Sequence, residues 1–336
     1  MSTSAPETVL VTGGAGYIGS HTAIALINAG HNVVVIDNYV NSKPDALDVV
    51  QELTGTPITV IEGDVRNRTL VEKAIVEHGV TAVIHMAALK AVGESVEMPL
   101  EYYGNNLESA IAVLDAMKAA NCWKFVFSSS ATVYGDPESN PIPESASIGA
   151  TNPYGMTKEM IEVILRDVAA SDDRWKITSL RYFNPVGAHE SGRVAEAPVG
   201  RPNNLMPMVM EVATGKREKV MVFGDDYPTV DGTGVRDYIH VMDLVEGHVA
   251  ALEHMDDQDG YEVFNLGQGR GSSVLELIAG VEKATGLTIA YEVTDRRAGD
   301  IAECVADPTR ANEVLGWQTV RTIDQACIDS WNSQAH

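Results

Sequence analysis

Three residues in the middle of the chain have the types and spacing needed to move a proton at a hydroxyl group. Tyr154 and Lys158 are four residues apart, and Ser130 precedes them in a serine-rich segment. Pro153 favours the first turn of a helix, and residues at positions i and i+4 project from one helix face. The ammonium group is therefore expected beside the phenol. An ordinary tyrosine has a pKa of about 10, and a nearby cation lowers it, so Tyr154 is expected to lose its proton more easily.

A glycine-rich segment near the start of the chain predicts a nucleotide-binding turn. An aliphatic run, the string TGGAGYIG at 12–19 and a stretch without proline follow one another, which predicts strand, tight turn and helix. Gly14, Gly16 and Gly19 fit the pattern GxGxxG. Gly13 fits the related pattern GxxGxxG with the last two of these glycines. Either spacing lets the backbone approach a pyrophosphate at a helix N-terminus.

An acidic residue ends the second predicted strand. Residues 33–36 are all valine or isoleucine, and Asp37 follows them. A dinucleotide-binding fold places at this point the acid that binds the adenosine ribose. A carboxylate there would repel a 2′-phosphate, so the sequence predicts NAD rather than NADP as the cofactor.

Length and composition fit a large globular enzyme from a reducing compartment. The chain has 336 residues, of which 45% are hydrophobic, so it can bury a sizeable core. Neither an apolar run of membrane-spanning length nor a secretory segment is expected. Three cysteines are too few, and odd in number, for a disulfide framework. We therefore expect a cytoplasmic location.

The charge balance limits the partners. With 47 acidic and 24 basic residues the net charge is −23, which argues against nucleic acid and anionic membranes. No metal site is predicted. Because dinucleotides and sugar nucleotides are themselves anionic, their phosphates need helix N-termini and a few placed cations. Each arginine near a candidate pocket is therefore informative.

Apolar runs alternate with helical segments along the first half of the chain. Beyond the two strands above, they lie at 58–61, 81–84, 125–127 and 177–180. This alternation predicts an α/β fold with a Rossmann-type doubly wound parallel sheet. Proline and glycine become frequent after residue 183. We predict an NAD-binding domain over 1–183 with a returning segment near 237–265, and a smaller C-terminal α/β substrate domain over most of 184–336.

Six short segments spread over nearly the whole chain share one resemblance. They are TGGAGYIG at 12–19, KAVGES at 90–95, SSSATVYG at 128–135, NPVGA at 184–188, NNLMP at 203–207 and GTGVRDYIH at 232–240. Together with Tyr-x-x-x-Lys they resemble the UDP-glucose 4-epimerases, which are extended short-chain dehydrogenases/reductases. The glycine loop and the Tyr-Lys pair alone would specify only the superfamily, whereas the segments around Arg236 and Asn204 are more specific.

The resemblance implies a redox cycle without net oxidation. In these enzymes NAD oxidises the sugar at C4, the 4-keto sugar rotates in the site, and C4 is reduced again on its other face. Tyr154 would be the base, Lys158 its electrostatic support and ribose contact, and Ser130 a hydrogen-bond partner of the reacting oxygen. The expected substrates are UDP-glucose and UDP-galactose.

The same resemblance assigns binding residues. The cofactor would contact Gly13, Gly16, Tyr17, Ile18, Gly19, Asp37, Asn38, Asn41, Ser42, Asp64, Val65, Lys90, Asn105, Tyr154 and Lys158. The UDP-sugar would contact Ser130, Asn184, Asn204, Leu205, Phe223, Arg236, Arg297, Asp300 and Cys304.

Some of these assignments have a simpler alternative. Arg236 and Arg297 also fit surface ion pairs, and Phe223 fits core packing as well as a platform for uracil. Some relatives carry tyrosine where Cys304 stands, and tyrosine crowds the substituent at sugar C2. We expect the smaller cysteine to admit UDP-N-acetylglucosamine and UDP-N-acetylgalactosamine; the alternative is a small buried residue without a role in specificity.

Three other functions remain open at this stage. A nucleotide-sugar 4,6-dehydratase needs an acid and a base just after the active-site serine, but Ala131, Thr132 and Val133 stand there. A simple NAD-dependent dehydrogenase would release its reduced cofactor. A dinucleotide-binding sensor would not need Ser130, Tyr154 and Lys158.

A homodimer is expected by analogy. Relatives pair two helices per subunit into a four-helix bundle, and residues 106–120 and 153–170 predict suitable helices.

Overall fold

Within the described ranges, seven parallel strands form a central sheet flanked by helices. The computed structural model describes residues 6–197, 202, 204–297 and 299–335. The strands are β1 (Thr8–Thr12), β2 (Asn32–Asp37), β3 (Thr59–Glu62), β4 (Ala82–His85), β5 (Lys124–Ser130), β6 (Lys176–Tyr182), β7 (Asn184–Val186), β8 (Val220–Phe223), β9 (Val235–His240), β10 (Gly260–Leu266), β11 (Gly271–Ser273), β12 (Tyr291–Thr294) and β13 (Glu303–Cys304). The helices are α1 (Tyr17–Asn28), α2 (Asp45–Thr54), α3 (Arg68–His78), α4 (Val92–Glu97), α5 (Pro99–Ala119), α6 (Pro153–Ser171), α7 (Leu205–Ala213), α8 (Val241–His254), α9 (Val274–Thr285), α10 (Thr309–Val314) and α11 (Ile323–Asn332). Short 3-10 helices cover Ala131–Tyr134 and Ser333–Ala335.

The strand order creates a crevice at one edge of the central sheet. The order is β10-β6-β5-β4-β1-β2-β3, and every neighbouring pair is parallel. Chain order reverses between β1 and β4, where the crossovers go to opposite faces. In open parallel sheets ligands bind at this switch point, beyond the carboxyl ends of the strands. The predicted Rossmann-type doubly wound sheet is confirmed.

Hydrophobic layers on both faces hold the sheet. Val9 and Val11 of β1 pack into one buried cluster, while Leu10 packs into the other. Successive side chains of a strand point to opposite faces, so an unbroken apolar run is what a strand covered on both sides requires. No helix in the described part of the chain is long and apolar enough to cross a membrane.

The helix that precedes β5 is longer than the sequence predicts. Helix α5 begins at Pro99, seven residues before the expected start at 106. Proline stabilises a first helical turn, and Tyr102 in that turn is completely buried, so tertiary packing extends the helix. Helix α6 begins at Pro153 as predicted, and the Asn152 side chain accepts a hydrogen bond from the Gly155 N–H at 2.9 Å.

A second unit lies in the C-terminal half. Strand β9 pairs with β7, β11 and β13, and β8 pairs with β12. Helices α7, α9 and α11 enclose a separate hydrophobic cluster over these strands. Strand β10 joins the edge of the central sheet beside β6, and Leu244 and Ala251 of α8 pack into its core. The chain thus passes between the two units more than once, and the domain boundary at 183/184 stays a prediction.

Candidate active site

A cavity of about 630 Å³ opens at the switch point of the central sheet. The carboxyl ends of β1, β2 and β4, the start of α1 and the start of α6 all contribute to its wall. Every residue predicted to contact the cofactor lies on this wall: Gly13, Gly16, Tyr17, Ile18, Gly19, Asp37, Asn38, Asn41, Ser42, Asp64, Val65, Lys90, Asn105, Tyr154 and Lys158. The structure therefore brings these fifteen residues together, while their role as ligands stays a prediction.

The turn between β1 and α1 has room only for glycine at its closest contacts. A Cβ atom on Gly19 would lie 2.3 Å from the carbonyl oxygen of Gly13. Gly13 has φ = +71°, and a Cβ there would lie 3.0 Å from the backbone of Ala87. Gly16 is the N-cap of α1 and supplies no side-chain cap, so the first N–H groups of the helix face the cavity unpaired by a side chain. This cradle fits the pyrophosphate of a dinucleotide.

Asp37 lies at the end of β2 and fixes the adjoining loop. Its Oδ2 accepts the N–H of Ala15 at 2.9 Å, and its Oδ1 accepts the N–H of Tyr39 and the hydroxyl of Ser42, both at 2.8 Å. A carboxylate has about four acceptor positions, so one remains for a ribose hydroxyl. The carboxylate is thus oriented before any ligand arrives.

Two of the three residues proposed to carry out the chemistry, Tyr154 and Lys158, line the cavity, and Ser130 ends the neighbouring strand β5. The Lys158 ammonium donates to the carbonyl oxygen of Ser128 at 2.7 Å and lies 5.8 Å from the ring centre of Tyr154. Lys158 is only 2% exposed. The Ser130 hydroxyl accepts from the N–H of Thr132 at 3.2 Å and from the hydroxyl of Thr132 at 2.9 Å, and Ser130 acts to lower the pKa of the Tyr154 phenol.

Burial shifts the pKa of both Tyr154 and Lys158. Burial raises the pKa of Tyr154 to about 12, and the hydrogen bond from Ser130 offsets only part of this effect. Burial also lowers the pKa of Lys158 to about 7. The sequence-based expectation that Lys158 and a cationic nicotinamide lower the pKa of the phenol stays a prediction.

Three of the predicted cofactor residues contact neighbouring side chains, and two of these contacts are ion pairs. Asp64 forms a two-pronged ion pair with Arg66, with the shortest contact at 2.6 Å, and this hydrogen bonding lowers the pKa of Asp64. Lys90 pairs with Glu196 at 3.4 Å. Asn105 donates to the side-chain oxygen of Asn106 at 3.0 Å. Each group is therefore oriented by neighbours.

Ser130 ends β5 of the central sheet, and the other eight residues predicted to contact the UDP-sugar form three groups on the second unit. Arg236 and Cys304 face each other on the paired strands β9 and β13, and Asn184 lies on β7, also beside β9. The Arg297 guanidinium lies 5.4 Å from the ring centre of Phe223 and pairs with Asp300 at 2.8 Å. Asn204 and Leu205 lie at the start of α7.

The residues predicted to contact the UDP-sugar differ in their exposure to solvent. Phe223 is 38% exposed, so it is not a core residue, and the Arg297 guanidinium lies over its ring. The Arg297 side chain is 61% exposed, and its ion pair with Asp300 matches the surface pairing that the sequence left open. Cys304 is buried and contacts the cluster of Ala131 and Phe183, the residues next to Ser130 and Asn184.

Sequence reasoning missed several residues of the cavity wall. Residues 86–89 and Tyr182 line it, as do residues 192–197. Residues 86–89 directly follow β4 at the sheet edge where ligands bind, so their position after a predicted strand was a usable signal. The segment 192–197 has no such signal, because only tertiary packing brings it over the cavity.

Comparison with known proteins places this geometry in a family. The profile of the NAD-dependent epimerase/dehydratase family matches residues 9–267. The chain belongs to this family. Within the family, the chain is 54% identical to the UDP-glucose 4-epimerase of Bacillus subtilis over 97% of this chain and 96% of that protein.

Solved structures of family members superpose closely. The chain matches UDP-glucose 4-epimerase from Bifidobacterium longum in complex with NAD⁺ and UDP, with a TM-score of 0.95, 54% identity and coverage of 98% of both chains. It also matches the UDP-Glc/GlcNAc 4-epimerase of Campylobacter jejuni, with a TM-score of 0.85 and 33% identity, covering 98% of this chain and 99% of that chain. The predicted cofactor, NAD, agrees with the family.

Proposed function

We propose that this epimerase/dehydratase family member interconverts UDP-glucose and UDP-galactose. The reaction oxidises sugar carbon C4 transiently, passes through a 4-keto sugar and uses bound NAD. The observation that carries this proposal is that Tyr154, on which Ser130 acts, and Lys158 line the same cavity as the glycine turn and Asp37. The residues proposed for proton transfer and those proposed for dinucleotide binding therefore lie at the same edge of the sheet. The similarity to UDP-glucose 4-epimerases over almost the whole chain supports it.

Tyr154 acts as the base for the sugar 4-hydroxyl in this proposal. Ser130 acts to lower the pKa of the phenol, and in this proposal its hydroxyl also hydrogen-bonds the reacting sugar oxygen. Lys158 is held by the carbonyl of Ser128 and supplies positive charge on the cavity side of the phenol. When bound, oxidised NAD supplies the two-electron acceptor for C4 and a second positive charge near the phenol. Tyr154 returns the proton when the 4-keto sugar is reduced.

Rotation of the keto sugar requires firm binding of the nucleotide and weak binding of the pyranose. The nucleotide must be held firmly while the pyranose rotates, so we propose binding contacts at the nucleotide end. Arg236 and Arg297 would meet the diphosphate, and Phe223 would face the uracil. The remaining residues proposed to contact the UDP-sugar are Asn184, Asn204, Leu205 and Asp300. Fixed cations in an otherwise acidic protein support this arrangement.

The segment after Ser130 disfavours a 4,6-dehydratase. Ala131 and Val133 are buried apolar residues, and Thr132 hydrogen-bonds Ser130. None of the three is an acid that could eliminate water across C5 and C6. A dehydrogenase or a sensor would differ from an epimerase in the products of turnover.

A direct assay tests the proposed function. The purified protein is incubated with UDP-galactose without added NAD, and the nucleotide sugars are separated by chromatography. Formation of UDP-glucose without accumulation of NADH is expected. Release of NADH in amounts equal to the substrate consumed would support a dehydrogenase instead. No reaction, even after addition of NAD, would leave the binding-protein alternative.

We also propose activity on the N-acetylated pair, UDP-N-acetylglucosamine and UDP-N-acetylgalactosamine. Cys304 lies beside Arg236 and against the residues that follow Ser130, and it is smaller than a tyrosine. Burial raises the pKa of its thiol to about 11, so the side chain is neutral and acts by its size. The fold also occurs in an enzyme that acts on both glucose and N-acetylglucosamine nucleotides.

We also propose that the protein is a homodimer and that it is located in the cytoplasm. Leu100, Leu107 and Ile111 fall within about 40° of one another on α5, at 100° per residue. The residues at both ends of this stripe, Leu100 and Ile111, are 83% and 47% exposed, and Val163 on the neighbouring α6 is 43% exposed. Apolar surface on two packed helices supports association of two copies. All three cysteines are free and buried, which fits a reducing compartment.

A further inference from the structure

A short segment separates the cofactor cavity from a second cavity beside α7. We call residues 193–197 the partition segment. Its last three residues line both the cavity of about 630 Å³ and a neighbouring cavity of about 270 Å³ next to Met206 and Met210 of α7. Arg193 at its start pairs with Glu52 of α2, and the carbonyl of Val194 accepts the N–H of His189 at 3.0 Å. The segment is thus fixed at its beginning and crosses between the two sites.

Glu196 in this segment contacts one predicted residue from each site. Its Oε1 accepts the side-chain amide of Asn204 at 2.6 Å and the ammonium of Lys90 at 3.4 Å. Lys90 is assigned to the cofactor and Asn204 to the UDP-sugar. The Glu196 side chain is only 11% exposed, although Lys90 is 46% exposed. Its negative charge adds to the effect of burial in raising the pKa of Tyr17, a third residue of the cofactor wall.

The position of the Glu196 carboxylate is unfavourable unless its contacts offset the cost. The two ligands each carry a diphosphate, so a negative charge on the wall between them disfavours both. Burial of the carboxylate adds a desolvation cost. These costs are offset if the carboxylate holds a cation and an amide donor in the positions that the ligands require.

We propose that Glu196 is a positioning residue that couples the two sites. By holding Lys90 and Asn204 on one oxygen, it keeps the start of α7 against the cofactor wall. This inference rests on the proposed function, since it needs NAD and a UDP-sugar as the two ligands. Coupling between binding sites is reciprocal in free energy, so the same contact strengthens the binding of both UDP and NAD, and we expect the weaker NAD binding of a variant to be seen as faster NAD release.

The test compares Glu196→Gln with Glu190→Gln in the NAD-bound enzyme. Glu190 is exposed and lies on the same stretch of chain, so its substitution removes the same charge without touching Lys90 or Asn204. For Glu196→Gln we expect the Kd of UDP, measured by calorimetry, to rise about 10-fold, and NAD release after dilution to accelerate about 10-fold. The KM for UDP-galactose should rise much more than kcat falls. Glu190→Gln should match the wild type.

Two results would overturn the coupling. One is an unchanged UDP affinity and NAD release rate in Glu196→Gln; the other is an equal change in Glu190→Gln, which would indicate a general charge effect. The double variant Lys90→Met/Glu196→Gln adds a readout that a merely structural role would not move. Its effect on NAD release should be clearly smaller than the sum of the single effects, and strict additivity would also refute the coupling.

The controls separate this inference from the proposed function. Wild-type conversion of UDP-galactose tests the function, whereas the ratio of variant to wild type tests Glu196. Glu196→Asp covers the case in which Glu196→Gln fails to fold: the shorter acid keeps the charge but reaches Asn204 less well, so the same losses are expected. If Glu196→Asp binds UDP and retains NAD like the wild type, the proposal is wrong.

Discussion

At the scale of single residues, Tyr154 and Lys158 show that a correct motif does not reveal its electrostatic state. The spacing predicts that both side chains lie on one face of α6, and their contact in the cavity agrees with it. The sequence could not reveal that Lys158 would be buried and bonded to the Ser128 carbonyl. That burial moves both pKa values in the direction of the neutral forms. Both shifts follow from burial, which the spacing of Tyr154 and Lys158 does not encode.

The lowered pKa of Lys158 predicts a pH-dependent stability of the cofactor-free protein. The unfolded chain holds the lysine proton up to an ordinary pKa of about 10.4, whereas the folded protein releases it at about 7. Since the unfolded state binds more protons between these values, rising pH favours the folded state. The free energy of unfolding should gain up to about 1.4 kcal/mol per pH unit in wild type relative to Lys158→Met. Below about pH 7 the difference should become constant.

Urea denaturation of both proteins at several pH values between about 6 and 9 measures this difference. A Lys158→Met variant with the same pH profile as the wild type would show that the lysine keeps its ordinary pKa.

The size of Cys304 predicts a change in sugar selectivity. Tyrosine at this position would fill the space beside Arg236, so Cys304→Tyr should lower kcat/KM for UDP-N-acetylgalactosamine about 100-fold. The value for UDP-galactose should stay within about 3-fold, because hydrogen and hydroxyl at C2 need less room. Cys304→Ala is the matched control and should keep both activities. Intact N-acetyl activity in Cys304→Tyr would refute the role of Cys304.

At the scale of elements, we expect the turn between β1 and α1 not to accommodate the single methyl group that an alanine would add. In Gly19→Ala the new Cβ would collide with the Gly13 carbonyl, which should cost about 1–3 kcal/mol of unfolding free energy. The displaced helix start should also reduce the amount of NAD that copurifies with the protein. Gly93→Ala on α4 is the control, since no neighbouring atom lies within 4 Å of its Cβ position. Normal NAD content in Gly19→Ala would contradict this reading of the turn.

The central sheet could be predicted from the sequence because its strands carry local signals. Apolar runs flanked by helical segments gave the positions of β1 to β6, and the position after each strand indicated the ligand edge. Long-range packing carries no such signal. The early start of α5 at Pro99 depends on the burial of Tyr102, and contacts of the partition segment with residues distant in sequence, such as Glu52 and Lys90, bring it to the cavity.

The sequence also could not decide between alternatives that depend on exposure. Phe223 fits either a core residue or a uracil platform until its partial exposure is known. Arg297 fits either a phosphate ligand or a surface pair, and the structure without ligand contains the pair with Asp300. A ligand phosphate would compete with Asp300 for this guanidinium.

At the scale of the whole molecule, the apolar surface on α5 and α6 predicts the oligomeric state. In solution the mass should be twice the 36.1 kDa of one chain. The double variant Ile111→Glu/Val163→Glu would bring like charges together across a two-fold axis, so it should be monomeric. Val320→Glu is the control, because Val320 is 66% exposed and lies on neither helix. Light scattering coupled to gel filtration distinguishes the outcomes, and a monomeric wild type would overturn the proposed dimer.

An isotope-crossover measurement tests the central claim most directly. UDP-galactose carrying deuterium at C4 is mixed with UDP-galactose carrying carbon-13 throughout its ring, and the UDP-glucose formed is analysed by mass spectrometry. Oxidation and reduction at C4 within one closed site predict that deuterium stays in the molecules without carbon-13, and Tyr154→Phe should form almost no product. Deuterium in the carbon-13 product, or its loss to water, would contradict the account.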